Sequence, residues 1–172
     1  MSRLLMIDLE TLDTLPTAMI LSIGVISFDP DEKEEDDRSL YIKVDARQSV
    51  GTIGADTVMW WLTQNEAARQ AIAEPGRSIG SALEELRTFC ANHDEIWAGP
   101  SYFDITILEH AYRTCSIPIP WPFYKVRDWT TFRRLFGVYK IPPCIEHHAL
   151  SDAQAQVKGF RQAWAKLRTL GA

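Results

Sequence analysis

Two apolar runs near the start of the chain constrain its fold most strongly. The first extends from Arg3 to Leu9 and has no helix-capping residues, and the second, ILSIGVISF at 20–28, is rich in β-branched residues. Both patterns predict β-strands. The acidic stretch DPDEKEEDDRS that follows Phe28 is typical of a solvated turn, and LYIKV at 40–44 predicts a third strand. The three strands would form an antiparallel meander.

The rest of the chain alternates between helical spacing and short strands. The spacing predicts a helix that begins at Asp56 and ends near Pro75-Gly76. It predicts four more helices, over 78–91, 102–114, 130–136 and 151–167. EIWA at 95–98 predicts a short strand, and IPIPWPF has three prolines and therefore predicts an extended connection. This order predicts one α/β domain over residues 1–172, with a mixed central sheet flanked by helices.

The composition limits the class of protein. The three cysteines have unrelated spacings, which indicates reduced thiols rather than a disulfide framework. MSRLLMIDLE places two carboxylates where a signal peptide would have its apolar run. No apolar stretch approaches the ~20 residues that a membrane span requires. We therefore expect a cytoplasmic protein with no membrane partner.

Charge is divided unevenly along the chain, whose net charge is -5. Residues 1–112 contain 8 Lys and Arg against 20 Asp and Glu, whereas residues 113–172 contain 10 against 3. The densest basic segment contains Lys125, Arg127, Arg133, Arg134 and Lys140. These cations could contact the phosphates of a nucleic acid, or they could pair with the acidic N-terminal part. The asymmetry permits nucleic-acid binding without establishing it.

Asp8 and Glu10 lie two residues apart in MIDLET, at the end of the first apolar run. Side chains at positions i and i+2 of a strand point to the same face. Two carboxylates side by side repel each other and resist desolvation, so the pattern predicts a compensating cation, with Mg²⁺ the obvious candidate. The alternative is that Asp8 caps a turn and Glu10 is simply exposed.

Two further groups of polar residues occur later in the chain. Phe103-Asp104 opens the helix after EIWA, where an Asp can be an ordinary helix cap. His147, Ala149 and Asp152 form an H-x-A-x-x-D pattern where the last long helix begins, and there too the Asp could be only a cap. Carboxylate ligands favour Mg²⁺ or Mn²⁺, and the lack of a cysteine pair or a His-rich cluster argues against zinc.

The joint pattern resembles the DEDDh 3′-5′ exonucleases of the ribonuclease H-like superfamily. The matching pieces are Asp8-x-Glu10-Thr11, Phe103-Asp104 and His147-x-Ala149-x-x-Asp152, in the family's order over about 145 residues. LETLDTLPTAMILSIGVISFD, the Trp60-Trp61 helix and WPFYKVRDWTTF are similar to small stand-alone bacterial and phage exoribonucleases. Phage members of that group are often labelled exodeoxyribonuclease VIII-like.

The resemblance implies a ribonuclease H-like fold and metal-dependent hydrolysis from the 3′ end of a nucleic acid. Asp8, Glu10 and Asp152 would hold one Mg²⁺ or Mn²⁺ ion, Asp8 and Asp104 would hold a second, and His147 would be the general base. The products would be nucleoside 5′-monophosphates. The substrate would be a single strand or a 3′ overhang, with RNA favoured over DNA, and the protein would be a homodimer.

The resemblance also places the terminal bases beside the first two carboxylates. The residues expected to bind them are Leu9, Thr11, Leu12 and Trp61, with Leu12 as a wedge against the final base. Trp60 and Trp61 could stack on bases, since such stacking contributes ~1 to 3 kcal/mol per base, or they could belong to the core.

The sequence differs from the family pattern at one position and offers a second histidine at another. Gly99 occurs where the family usually has Asn, five residues before the middle Asp, and His148 adjoins His147, although the spacing to Asp152 favours His147. Three other functions are left open by the sequence, namely a DNA exonuclease, a non-catalytic nucleic-acid-binding module and a structural Ca²⁺ site. A binding module would be expected to have lost a metal ligand or the base. The chain contains no EF-hand loop, which argues against the structural Ca²⁺ site.

Overall fold

A five-stranded mixed sheet forms the centre of the molecule. The computed structural model describes residues 3–170, without the side chains of 71 and 72. The strands are β1 (Leu4–Thr11), β2 (Ile20–Phe28), β3 (Arg38–Lys43), β4 (Glu95–Ala98) and β5 (Val126–Asp128). Their order is β3-β2-β1-β4-β5, with β1 to β3 antiparallel and with β4 and β5 parallel to β1. The predicted meander and mixed sheet are confirmed.

Six α-helices surround the sheet in the described part of the chain. They are α1 (Ala55–Thr63), α2 (Glu66–Ala73), α3 (Ile79–Phe89), α4 (Ser101–Thr114), α5 (Trp129–Leu135) and α6 (Ala149–Leu170). The prediction of a single helix from Asp56 to near Pro75 was wrong. The Asn65 side chain accepts a hydrogen bond from the Ala68 N–H at 2.9 Å, so it caps α2 and separates it from α1. None of the helices described is long and apolar enough to cross a membrane.

The two faces of β1 pack against different helices. Leu5 and Ile7 belong to a core that includes residues of α3 and α4, whereas Leu4 and Met6 belong to a core that includes Phe160 of α6. Since side chains alternate along a strand, Asp8 and Glu10 share the face of Leu4 and Met6. Helix α6 covers that face, so the two carboxylates point toward α6.

Gly24 of β2 allows α6 to begin directly above the carboxylates. It pairs with Asp8 in the β1–β2 ladder. A Cβ atom at this position would lie 2.2 Å from the carbonyl carbon of Ala149, the first residue of α6. The backbones of β2 and α6 therefore touch here, which brings the first turn of α6, with Asp152, over Asp8.

Many cations of the C-terminal part pair with acids of the N-terminal part. Arg161 contacts Asp37 at 2.7 Å, and Arg127 contacts Glu95 at 3.0 Å. The uneven charge along the sequence is thus partly used within the fold.

Candidate active site

Three of the predicted acidic residues converge above β1. One carboxylate oxygen each from Asp8, Glu10 and Asp152 lies within 4.8 Å of the other two. Asp8 and Glu10 come from the same face of β1, and Asp152 comes from the first turn of α6. The strand continues to Thr11, so Asp8 and Glu10 lie within β1 and not after it, which fixes both side chains on the regular pleat.

The carboxylates of Asp8, Glu10 and Asp152, called the trio below, repel one another when no cation is bound. Burial raises the pKa of Asp8 well above its usual value, and the charges of Asp104, Glu10 and Asp152 raise it further. Burial and the neighbouring carboxylates likewise raise the pKa of Glu10 to about 8, and burial raises the pKa of Asp152. The raised pKa values mean that the three carboxylates do not ionise easily without a counterion. A hard divalent cation such as Mg²⁺ or Mn²⁺ would supply the missing charge and prefers oxygen ligands at this spacing.

Asp104 lies beside the trio but is held differently. It is in the first turn of α4 and only 3% exposed, and Pro100 rather than Asp104 is the N-cap of that helix. The backbone N–H of Leu9 donates a hydrogen bond of 3.1 Å to Asp104 Oδ1. Burial raises the pKa of Asp104 to about 8. A fourth carboxyl group therefore borders the site from the α4 side of β1.

Gln156 also belongs to the site, although the sequence analysis missed it. Its Nε2 donates a hydrogen bond of 2.7 Å to Asp8 Oδ1 and opposes the rise in the pKa of Asp8. Gln156 follows Asp152 by one helical turn, so both side chains lie on the same face of α6. This i, i+4 spacing is the signal that could have identified Gln156.

The two adjacent histidines have different surroundings. His147 has a left-handed backbone with φ of 57°, lines a recess of about 270 Å³ next to Asp152, and lies edge-on to Trp60 with 4.6 Å between ring centroids. The His148 ring stacks on Tyr41 of β3 with 4.2 Å between centroids. The His148 backbone N–H donates to Asp152 Oδ2 at 3.3 Å. His147 faces the open site, whereas His148 helps to hold Asp152.

A pocket of about 530 Å³ opens beside Glu10. Its wall contains three of the four residues predicted to bind substrate, namely Leu9, Thr11 and Trp61. Phe103 and Trp60 complete the apolar part of the wall. The pocket is large enough for an organic ligand of ordinary size, and Glu10 connects it with the trio.

The two tryptophans of α1 differ in exposure. Trp61 is 3% exposed, and its Nε1–H donates to the Thr11 carbonyl at 2.8 Å, which ties α1 to the end of β1. Trp60 is 40% exposed. Leu12 packs against the cluster of Leu21, Trp61 and Ala68 and is absent from the described lining of the pocket. Trp61 is thus mainly a core residue that reaches the pocket wall, and Trp60 is the more accessible ring.

Trp129 accounts for the glycine at position 99. A Cβ atom on Gly99 would lie 2.8 Å from Trp129 Cδ1, and one on Gly159 would lie 2.9 Å from Trp129 Cζ2. The indole ring is therefore packed between the two glycines. It fills the space into which an Asn side chain at position 99 would extend.

Comparison with known families decides the class of protein. A family model described as the 3′-5′ exoribonuclease Rv2179c-like domain matches residues 3–164. The chain belongs to this family. The description of the family agrees with the exonuclease family that the sequence resembles, and the three carboxylates of this Rv2179c-like chain fit a divalent cation. A comparison with curated protein sequences gave no match.

Solved structures show the same fold at low sequence identity. E. coli exonuclease I in complex with a dT13 oligonucleotide matches with a TM-score of 0.70 and 14% identity over 99% of this chain and 42% of that chain. The nuclease domain of 3′hExo, a DEDDh family member bound to rAMP, matches with a TM-score of 0.61 and 12% identity over 95% and 92%. S. pombe Pop2p in its Mg²⁺- and Mn²⁺-bound form matches with a TM-score of 0.58 and 14% identity over 92% and 81%. The Rv2179c-like chain thus spans about two fifths of the exonuclease I chain. These likenesses confirm the ribonuclease H-like fold.

Proposed function

We propose that this protein hydrolyses RNA from the 3′ end with two bound divalent ions and releases nucleoside 5′-monophosphates. The observation that carries the proposal is the convergence of Asp8, Glu10 and Asp152 within 4.8 Å beside an open pocket. Residues 1–172 would act as one exonuclease domain in the cytoplasm, on single strands or 3′ overhangs.

The carboxylates divide between two cation sites in this proposal. Asp8, Glu10 and Asp152 would hold one Mg²⁺ or Mn²⁺ ion, and Asp8 with Asp104 would hold the second. When bound, such a pair of ions would activate water and neutralise charge on the attacked phosphate. Gln156 keeps Asp8 oriented through the 2.7 Å hydrogen bond. The Leu9 N–H does the same for Asp104.

His147 serves as the general base. Its ring lines the recess that also contains Asp152, on the open side of the trio. An imidazole can take a proton from the attacking water at neutral pH, a role typically worth ~10² to 10⁴ in rate. The packing of His148 against Tyr41 leaves His147 as the histidine placed for this role.

The pocket beside Glu10 receives the 3′-terminal nucleoside. Its aromatic wall, which includes Trp60 and Phe103, suits the flat face of a base, and Leu9 and Thr11 line the same space. A terminal residue bound there has its phosphate next to Glu10 and the trio. This placement accounts for hydrolysis at the end of a strand.

RNA is the preferred substrate in this proposal. The description of the family as exoribonucleases and the rAMP complex of 3′hExo support RNA. The dT13 complex of exonuclease I makes DNA the second candidate.

A homodimer is also part of the proposal. The exposed side chains of Phe123 and Leu135 offer apolar surface for a second copy. Light scattering measures the mass in solution.

Digestion of 5′-labelled strands tests the function directly. Matched RNA and DNA single strands are incubated with Mg²⁺, with Mn²⁺ or with EDTA, and the wild type is compared with Asp8→Ala and with Asp31→Ala, an exposed acid at the turn after β2. We expect a metal-dependent ladder that shortens from the 3′ end, faster on RNA, and lost only in Asp8→Ala. Absence of cleavage by the wild type on both strands would instead indicate a binding module.

A further inference from the structure

Lys140 lies beside the carboxylates on the connection between α5 and α6. It lines the recess that contains His147 and Asp152, and it also lines a small cavity of about 10 Å³ that contains Asp152 and Gln156. Burial raises the pKa of Glu10 and Asp152, and the Lys140 ammonium opposes that rise for both. Its charge therefore reaches the trio from the same side as His147.

Lys140 lacks the kind of partner that several cations of the basic C-terminal part have. Arg127, Lys158 and Arg161 each form an ion pair with an acid of the N-terminal part. Within residues 3–170, by contrast, Lys140 forms no ion pair with a carboxylate at 4.0 Å or less, although its charge acts on Glu10 and Asp152, and the side chain is exposed. An exposed lysine next to a carboxylate cluster, with no ion pair in the described chain, is available for an incoming anion.

The charge balance of the site indicates which anion this is. The inference rests on the proposed two-ion function, in which four carboxylates match the four positive charges of two divalent ions. A phosphodiester then brings one negative charge that these ions leave uncompensated, and further charge develops as its bond to the leaving oxygen breaks. Lys140 supplies one positive charge at this place.

We propose that Lys140 binds the non-bridging oxygens of the scissile phosphate and keeps this contact with the 5′-phosphate of the nucleotide product. A lysine ammonium suits this role because it is a flexible point charge with three donors. The contact links phosphate recognition to the side of the site at which His147 is placed.

Nucleotide binding tests the contact without requiring turnover. Adenosine 5′-monophosphate and adenosine are titrated by calorimetry into the Mn²⁺-loaded wild type, Lys140→Met, Lys140→Arg and Lys33→Met. Lys33 is an exposed lysine that follows the C-terminal end of β2. That end of β2 pairs with Leu4, whereas Glu10 pairs with the other end. Lys33→Met is therefore a matched control for the loss of one surface charge.

We expect Lys140→Met to bind adenosine 5′-monophosphate about ten- to a hundredfold more weakly, as for the loss of a charge-assisted hydrogen bond. Adenosine binding should be unchanged, because adenosine has no phosphate. Lys140→Arg should retain most of the affinity and Lys33→Met all of it. The rate of RNA cleavage by Lys140→Met should fall in parallel.

Two results would overturn the inference. Equal affinity of Lys140→Met and the wild type for adenosine 5′-monophosphate, even with tighter Mn²⁺ binding, would mean that Lys140 only offsets the charge of the carboxylates. An equal loss of adenosine and nucleotide binding would mean that Lys140 shapes the pocket. Failure of the wild type in the ladder assay refutes the proposed function separately, since nucleotide affinity is measured without cleavage.

Discussion

Trp60 lies edge-on to His147, with 4.6 Å between the two ring centroids, and also forms part of the wall of the pocket beside Glu10. One indole therefore contacts the proposed general base and faces the proposed site of the terminal base. Its exposed fraction of 40% leaves part of the ring accessible to a ligand. A ligand in the pocket and the His147 ring would thus contact the same indole.

Replacement of Trp60 should therefore affect both binding and turnover. We expect Trp60→Ala to raise KM for short RNA about tenfold, because base stacking contributes ~1 to 3 kcal/mol, and to lower kcat as well, because His147 loses its edge contact. Trp60→Phe should recover most of both. Steady-state kinetics on a short single strand measures the two constants. Met59→Ala, an exposed neighbour on α1, serves as the control and should leave both unchanged.

Replacement of His147 should lower the cleavage rate much more than replacement of His148. His147→Ala should lower kcat by ~10² to 10⁴, the usual contribution of a general base, while Mn²⁺ affinity stays near that of the wild type. His148→Ala removes the stack on Tyr41 but keeps the backbone N–H that contacts Asp152, so it should cost much less. Single-turnover cleavage and a Mn²⁺ titration measure the two effects. A larger loss of rate in His148→Ala would reverse the assignment.

Without divalent ions, the protein should lose stability as the pH rises. The folded-state pKa of Glu10 is about 8, above its ordinary value of 4.5, and burial raises the pKa of Asp8 and Asp104 in the same direction. Between about pH 4.5 and pH 8, Glu10 keeps its proton in the folded state but has lost it in the unfolded state. The free energy of unfolding therefore falls as the pH rises through this range.

Thermal unfolding in EDTA across this pH range measures the effect. We expect Tm to fall toward pH 8, Mn²⁺ to restore it, and Asp8→Asn to flatten the slope. Asp31→Asn should leave the slope in place, since Asp31 lies at the exposed turn after β2 and its pKa is lowered by hydrogen bonds from Arg168 and Trp164. An equal dependence of Tm on pH in the wild type and in Asp8→Asn would show that Asp8 holds no proton without a cation, since burial lowers the pKa of His93 and His148 in both proteins alike.

The sequence predicted the sheet, and it singled out the carboxylates that converge above β1, because both depend on short sequence patterns. The bounds of β2 and β4 were predicted to the residue, since short runs rich in β-branched or aromatic side chains favour strands. The break between α1 and α2 was missed because Gln64 and Asn65 do not interrupt the helical spacing, and the Asn65 cap competes with a continuous helix only through one hydrogen bond.

Other features of the site depend on contacts between distant segments, which spacing cannot reveal. Gln156 acts on Asp8 across 148 residues of sequence, and the different surroundings of His147 and His148 depend on Trp60 and Tyr41. Leu12 was placed in the substrate site by resemblance, whereas the structure packs it against Leu21 and Trp61. That role remains a prediction.

Gly24 provides the most direct link between packing and the cation site. A Cβ atom there would lie 2.2 Å from the Ala149 backbone, so Gly24→Ala forces α6 away from β2. We expect a loss of at least ~1 to 3 kcal/mol in the free energy of unfolding, as for other overpacked sites, and weaker Mn²⁺ binding because Asp152 moves from Asp8. Urea unfolding and a Mn²⁺ titration measure the two changes.

Gly80→Ala is the matched control for this substitution. Gly80 lies in α3, and a Cβ atom there meets no atom within 4 Å, so alanine should stabilise the protein by roughly 0.5 to 1 kcal/mol through helix propensity. Mn²⁺ affinity should be unchanged in this variant. If Gly24→Ala kept full Mn²⁺ affinity despite its lower stability, Asp152 would reach Asp8 without the close contact between β2 and α6, and the cation site would not depend on that contact.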